Sequence, residues 1–513
     1  MEIAKRFYLS RNTVKPFNLD EIVKNKTPLK RGHELLLYED DGIFSHLDLE
    51  KEDGLVAKEL SVAVIPCYTK EDELDIALQS LQDQTEVPDW ILIILNGPEP
   101  KNGGVAIAEK QAKEFAQKYS NIEVIKSQEK GKVNALNFSF KYIIEKIYHY
   151  KEYEGVALHI PYILYMDADI RCDARMIEHL HEEIVNTPDA AGVMARYSFE
   201  FSEGKKYSSS ERSFLYGQRV EFAMKTAIQQ VRRQTEILGG QGTLFRQAAL
   251  IDAAKHSFGR VPWSISSKFE DAELTKVLQG LGYKTLTSYE ARAWVGPMLN
   301  SHSWNKQRQK WQDGHLEDLS KSIHPYRDRY RLSEQFLLGW NLIIRGIFFA
   351  VMPTGLIMGK FKIDDSLLLW LIPIILSSLL TFSVAKRIPN AGTWEKLRSL
   401  LYLPGEIYYL RTLSVWLNSV VVLFFGFSRD GWGNQDAAES SQKKTNLLSW
   451  VILAFFMLVI SCSLFSISYI NMSWFNKLYQ ILWSMLTSMT ILSCVFMVKR
   501  WFSIFRARSR VRP

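Results

Sequence analysis

Cysteine is scarce in this sequence: there are four among 513 residues, with Cys67 and Cys172 in the mixed part of the chain and Cys462 and Cys494 in apolar runs. So few imply no disulfide framework, and packing has to hold the fold. No zinc-spaced Cys/His cluster and no phosphate-loop glycine motif occurs either. The net charge of +7 therefore does not point to nucleic acid, because Lys and Arg beside membrane spans, facing anionic lipid, account for much of it. The opening MEIAKRFYLSRNTVKPF also lacks an apolar stretch of signal-peptide length. The N-terminal part is accordingly expected to stay in the cytosol.

Hydrophobic residues are plentiful, 47% of the total, and unevenly placed. Apolar runs at 336–358, 367–385, 447–470 and 478–498 are each about the 20 residues a helix needs to cross the hydrocarbon core, giving four expected spans. Residues 402–427 carry Pro404, Glu406 and Arg411 near their start, so 390–427 is expected to lie along the interface. The densely positive C-terminal KRWFSIFRARSRVRP belongs in the cytosol, and with the N-terminus also inside the number of spans must be even. The expected organisation is an extension (1–58), a soluble domain (59–300), interfacial helices (301–335) and a membrane region (336–513). This makes a multi-pass protein of the cell membrane with both termini cytoplasmic. Arg345, inside the first run, should face a wet interior or phosphate.

Within the soluble part, ELSVAVIPCY (59–68), WILIILNG (90–97), IEVIKS (122–127) and YILYMD (162–167) read as strands separated by amphipathic helices. Such alternation implies an open, mostly parallel α/β sheet. Ligands bind such sheets at the carboxyl ends of strands, where Asn96, Asp167 and Asp169 fall. In ILYMDADIRCDARM, Asp167 and Asp169 stand at i and i+2, a spacing that puts both carboxylates on one side of a strand. On residues alone this is either a polar turn after a core strand or a pair that requires a cation.

The segments VIPCY, GKVNALN, DAD, FEDAELTKVLQGLGYKT and QRQKW occur in this order and are followed by apolar runs. In that order they resemble the processive membrane synthases of glycosyltransferase family 2, among them the cellulose, hyaluronan and chitin synthases. The resemblance implies a GT-A-type α/β nucleotide-sugar transferase domain followed by a helical transmembrane region. It implies that Asp169 binds Mg²⁺ or Mn²⁺ and that Asp167, Lys132, Tyr68 and Glu71 contact the nucleotide sugar. Asp271 would be the general base and Glu270 its acidic neighbour at the acceptor, both opening a helix. Gln307, Arg308 and Lys310 would hold the diphosphate, Trp311 the acceptor sugar, and Gly239 and Gly240 an acceptor segment.

Four departures accompany the resemblance, the first being Cys67 and an extra residue before Glu71 in the first-strand motif, which displaces Glu71 from the family's usual spacing. Asn96 stands where many relatives have Asp; it can still hydrogen-bond a uracil edge, which keeps UDP as the expected nucleotide. Lys310 replaces the usual Arg and loses its bidentate fork, so Arg308 would share the diphosphate. GWGNQD (431–436) lacks the arginine of the similar segment in the hyaluronan and chitin synthases.

The implied function is inverting, processive polymerisation of a polysaccharide from a UDP-sugar, UDP-glucose favoured, coupled to export. The expected partners are the donor, the growing polysaccharide and membrane lipids, with a homodimer as one way to complete a channel. The alternatives are single transfer to a lipid carrier and a non-catalytic assembly subunit.

Overall fold

A computed structural model of the chain describes residues 17–26, 34–38, 44–48, 56–97, 105–127, 129–199, 206–257, 259–265, 269–320, 329–357, 366–388, 390–425 and 472–510, with isolated positions between 454 and 466. The chain divides into two compact units. The first is Met1–Glu200 with Ile228–Gly296, and the second is Phe201–Ala227 with Pro297–Pro513.

The first unit holds twelve strands among the described residues. A hairpin joins β1 (Glu34–Tyr38) and β2 (Phe44–Asp48). The others are β3 (Val56–Glu59), β4 (Val62–Tyr68), β5 (Trp90–Asn96), β6 (Ile122–Lys126), β7 (Val156–His159), β8 (Tyr162–Tyr165), β9 (Arg171–Cys172), β10 (Ala190–Ser198), β11 (Thr243–Arg246) and β12 (Lys284–Trp294). β3 pairs with β7, and eight strands form one sheet in the order β6-β5-β4-β8-β11-β10-β12-β9. β6, β5, β4 and β8 run parallel, as do β10 and β12; β11 is antiparallel to both of its neighbours, and β9 is antiparallel to β12. β10 therefore points the same way as β8, and the carboxyl ends of β4, β5, β8, β10 and β12 share one edge.

Helices cover both faces of the sheet. They are α1 (Leu19–Asn25), α2 (Leu74–Gln82), α3 (Ile107–Lys118), α4 (Lys132–Glu154), α5 (Met176–Val185), α7 (Gln247–Lys255) and α8 (Glu270–Gly280); α6 (Ser209–Arg232) belongs to the second unit as far as Ala227. β5 is buried along its whole length, which is why it reads as an unbroken apolar run rather than an alternating one. Its side chains still divide by parity: Leu92 and Ile94 join a core with α4, α7 and α8, while Ile91, Ile93 and Leu95 join a second core with α2, α3 and α5. Pro66 is tolerated in β4 because pairing with β8 stops at Val64 and Tyr165, before the residue that lacks an N–H.

The second unit adds α9 (Ser301–Ser320), α10 (Arg329–Ile357), α11 (Ser366–Ala385), α12 (Thr393–Arg398), α13 (Tyr402–Phe424) and α14 (Met472–Arg510). Three stretches are long and apolar enough to cross a membrane: Leu332–Gly355, Tyr402–Phe424 and Ser473–Phe502. The apolar part of α11, Leu371–Ala385, is shorter. The expected span 447–470 and the GWGNQD segment lie outside the described residues, apart from isolated positions in the former.

Residues 402–424, expected to lie along the interface, form one continuous 23-residue helix. The charge that argued against a span there has a partner: Arg345 on α10 donates Nε to Glu406 Oε1 (2.6 Å) and Nη2 to Glu406 Oε2 (2.8 Å). A bidentate pair offsets much of the cost that either charge would carry alone in an apolar setting.

Candidate active site

Asp167 leaves the sheet two residues after β8 ends, and Lys132 opens α4 behind Gly131, whose φ of 105° only glycine adopts readily. A lysine at a helix N-terminus opposes the macrodipole. Here its ammonium is held by three carboxylates: Asp167 Oδ1 at 2.8 Å, Glu270 Oε1 at 3.5 Å and Asp271 Oδ2 at 3.9 Å. Burial alone would lower the Lys132 pKa, but these charges outweigh it and hold the ammonium protonated well above its usual value. The cation beside Asp167 is therefore a lysine of the chain itself.

Glu270 and Asp271 stand in the first turn of α8, where the helix N-terminus favours negative charge. Burial, then the charges of Glu270 and Asp167, push the Asp271 carboxyl up to about 7 against the opposing pull of Lys132 and a hydrogen bond from the Gly240 N–H. The Gly240 carbonyl in turn accepts from the Asp167 N–H at 2.7 Å. One peptide segment thus bridges the two acids, and a Cβ on Gly240 would collide with the Asp167 carboxylate. Glycine is required there by close approach. Gly239, beside it, donates its N–H toward Met194 Sδ at 3.4 Å.

Asp169 is exposed at the same edge. The protein around it, then the Asp167 charge, push its carboxyl up to about 6. Glu71, half-buried, is pushed up to about 7 by burial first and the Asp169 charge second. Tyr68 and Asn96 end β4 and β5 directly abreast, Tyr68 partly exposed and Asn96 buried. The strand-end candidates Tyr68, Glu71, Asn96, Lys132, Asp167, Asp169, Gly239, Gly240, Glu270 and Asp271 thus all belong to the first unit.

Gln307, Arg308, Lys310 and Trp311 lie on α9 in the second unit. Arg308 is buried, donates to Glu221 Oε2 at 2.9 Å and sits 4.5 Å over the Trp311 ring. Tyr408 also donates to Glu221 (2.7 Å) and accepts from Trp304 Nε1 (3.0 Å). Burial would raise the Glu221 pKa, but Arg308 and Lys225 hold it down at about 2. The Arg308 guanidinium is thus engaged within its own unit, and Lys310 and Gln307 are half-buried on the same helix.

Two polar residues in these networks escaped the sequence reading. Thr275 donates its hydroxyl to the Asp271 carbonyl (2.6 Å) and accepts from the Leu238 N–H (2.8 Å), tying α8 to the Gly239–Gly240 segment. A threonine at the sixth position of a helix gives no signal by itself. Asn137, inside GKVNALN, is buried and exchanges hydrogen bonds with the Trp263 backbone at 2.7 and 3.1 Å, which fixes α4 and hence Lys132.

These elements define a GT-A-like glycosyltransferase domain followed by apolar helices that could span a membrane. Residues 62–253 match the model of Glycosyl transferase family 2, and residues 162–384 match that of Glycosyl transferase family group 2. The matches support nucleotide-sugar transfer of the family-2 kind, and hence glycosyltransferase activity. Solved structures similar to this chain include the mannosyltransferase PcManGT from Pyrobaculum calidifontis with GDP-Man and Mn²⁺ (11% identity, 79% of this chain and 86% of that one, TM-score 0.34). TarS 1-349 from S. aureus is also similar (13% identity, 72% and 95%, TM-score 0.30). A third is GalNAc-T7 with UDP, GalNAc and Mn²⁺ (12% identity, 46% and 43%, TM-score 0.32). At these values nothing follows about the donor or acceptor. No curated protein matches the chain.

Proposed function

We propose that this chain is an inverting, processive glycosyltransferase that polymerises a polysaccharide from a UDP-sugar, UDP-glucose favoured, at the cytosolic face of a membrane, and exports the product. The observation that carries the reading is the convergence of Lys132, Asp167 and Asp271 around the Gly240 backbone at the carboxyl edge of the sheet. The acceptor hydroxyl oxygen bonds to the anomeric carbon as the bond to the diphosphate breaks, and Asp271 takes the hydroxyl proton. A base with a pKa about 7 is matched to that task at neutral pH. Lys132 keeps Asp271 ionised and adds positive charge near the leaving diphosphate.

A divalent ion fits the carboxylates present. Asp169 carries no ion pair among the described residues, and its charge helps to raise the Glu71 carboxyl. Both offer hard oxygen donors suited to Mg²⁺ or Mn²⁺. Among the described residues no three His, Cys, Asp or Glu side chains gather to hold a metal, so diphosphate oxygens would complete the shell around Asp169. Such an ion would neutralise charge on the departing diphosphate. Gln307, Arg308, Lys310 and Trp311 remain proposed contacts for diphosphate and acceptor.

The test is UDP release by the full chain in nanodiscs across a panel of UDP-sugars with Mg²⁺ or Mn²⁺, beside Asp271→Asn. Release with one sugar, abolished in the variant and accompanied by a high-mass product, supports the proposal. A short product attached to lipid would replace polymerisation by single transfer, and no release with any donor from folded protein would refute the UDP assignment.

A further inference from the structure

Two arginines near the carboxyl ends of adjacent parallel strands have no role in the chemistry above. Arg196 on β10 and Arg292 on β12 stand abreast in the register. Neighbouring strands lie about 4.8 Å apart, so two like charges are held side by side. The Nε of each is buried without a hydrogen-bond partner, and among the described residues neither side chain makes an ion pair. Of the carboxylates acting on Arg196, which are Glu290, Glu183 and Asp173, Glu183 is already taken up by the Ser288 hydroxyl and the Tyr289 N–H, each at 2.7 Å. A third cation stands close: Arg171, two residues beyond Asp169, packs 5.4 Å over Trp294, which pairs with Ser198 on one side and Arg171 on the other.

Buried donors and crowded like charges are costly unless something anionic meets them. The sheet order gives the direction from which it comes. Tyr68 and Asn96 end β4 and β5 on one side of β8, whereas β10 and β12 lie on the other side with the same edge forward. They are two and three strands from β8, or about 10–15 Å. An anion at Arg196 and Arg292 is therefore separate from a donor held at Asn96, while β10 borders the glycine segment that bonds Asp271, the Ala195 N–H donating to the Gly242 carbonyl at 2.8 Å.

We infer that Arg196 and Arg292 form an oxyanion site for the acceptor, so that the growing chain carries a phosphate or carboxylate near its accepting end; glucose units alone supply neither, so the anion belongs to a second sugar or a substituent on the chain. This inference rests on the donor and base assignments proposed above for its direction, and on the arginine pair alone for the anion. The experiment has two arms on the full chain in nanodiscs: wild type, Arg196→Gln, Arg292→Gln and the charge-keeping Arg292→Lys. In the first, inorganic phosphate is titrated and followed by ³¹P line broadening with UDP at saturation. Phosphate should bind saturably alongside UDP, about tenfold or more weaker in either Gln variant and largely retained in Arg292→Lys, as expected for loss of a charged hydrogen bond. In the second, transfer to neutral, phosphate-bearing and carboxylate-bearing oligosaccharides is compared. The preference for charged over neutral acceptors should fall about tenfold in the Gln variants, and the better of the two anions identifies the acceptor class.

No saturable phosphate in wild type, phosphate fully displaced by UDP, or equal losses on charged and neutral acceptors would overturn the inference. If a Gln variant does not fold, the UDP competition on wild type and the Arg292→Lys titration decide it. Phosphate binding at this pair without donor turnover would sink the proposed function and leave the anion site standing. Turnover without the anion site would do the reverse.

Discussion

Replacing Lys132 by methionine tests the site most directly, because it keeps the bulk of the side chain and removes the one charge shared by Asp167, Glu270 and Asp271. At the observed 3.9 Å from Asp271 and an effective dielectric of about 20, the lost attraction is roughly 332/(20 × 3.9), or about 4 kcal/mol. That corresponds to about three pKa units if nothing replaces it; water entering the half-open site takes part of it back, so a shift of at least one unit is expected. The sign follows from the role. The base works deprotonated, so kcat/KM falls as pH drops through its pKa, and with that pKa about 7 the wild type at pH 6 retains roughly a tenth of its plateau. In Lys132→Met the acid limb moves to pH 8 or above, while Lys132→Arg keeps it near neutrality. The assay is UDP release from pH 5.5 to 9.5 in nanodiscs. A Lys132→Met enzyme that loses the same factor at every pH, with its limb still near 7, would refute Lys132 as the group that tunes Asp271.

Two further perturbations follow from close contacts. Gly240→Ala drives a methyl group into the Asp167 carboxylate, and because Gly240 also bridges to Asp271 through its backbone, turnover should fall on the order of 100-fold with a loss of about 1–3 kcal/mol in stability. Turnover against thermal denaturation separates the two effects; an unaffected Gly240→Ala turnover would mean that the contact yields. In the second unit, Arg345→Met and Glu406→Gln should each cost about 3–5 kcal/mol by leaving an unpaired charge among apolar helices, while the double variant recovers much of it. Additive losses measured by unfolding in detergent would contradict that coupling.

Much of the first unit is visible in the sequence because strands buried on both faces read as continuous apolar runs. WILIILN and VAVIPCY are examples, and their expected limits lie within a few residues of β5 and β4. Candidate site residues are visible for a different reason: carboxylates following an apolar run, as in YMDAD, or opening a helix, as in FEDAEL, break the local pattern. Arg196 and Arg292 break no pattern that a single strand reveals. Only the bulged pairing of β10 with β12 sets them abreast. The pairing within the segment 402–424 was not visible either, since Glu406 looks expensive until Arg345, 61 residues away in the chain, is seen to hold it.

The sequence by itself determined the alternation of strands and helices, the change to long apolar segments in the last third of the chain, and the kinds of group available for chemistry. These follow from periodicity and side-chain type, which are local. Tertiary structure alone decided that Lys132 meets the charge of Asp167, and that Gly240 bridges Asp167 to Asp271. It also decided that Arg308 pairs with Glu221. Each of these is an interaction over a few ångströms between residues far apart in the chain, and sequence spacing carries no information about such distances until the sheet order brings the ends together.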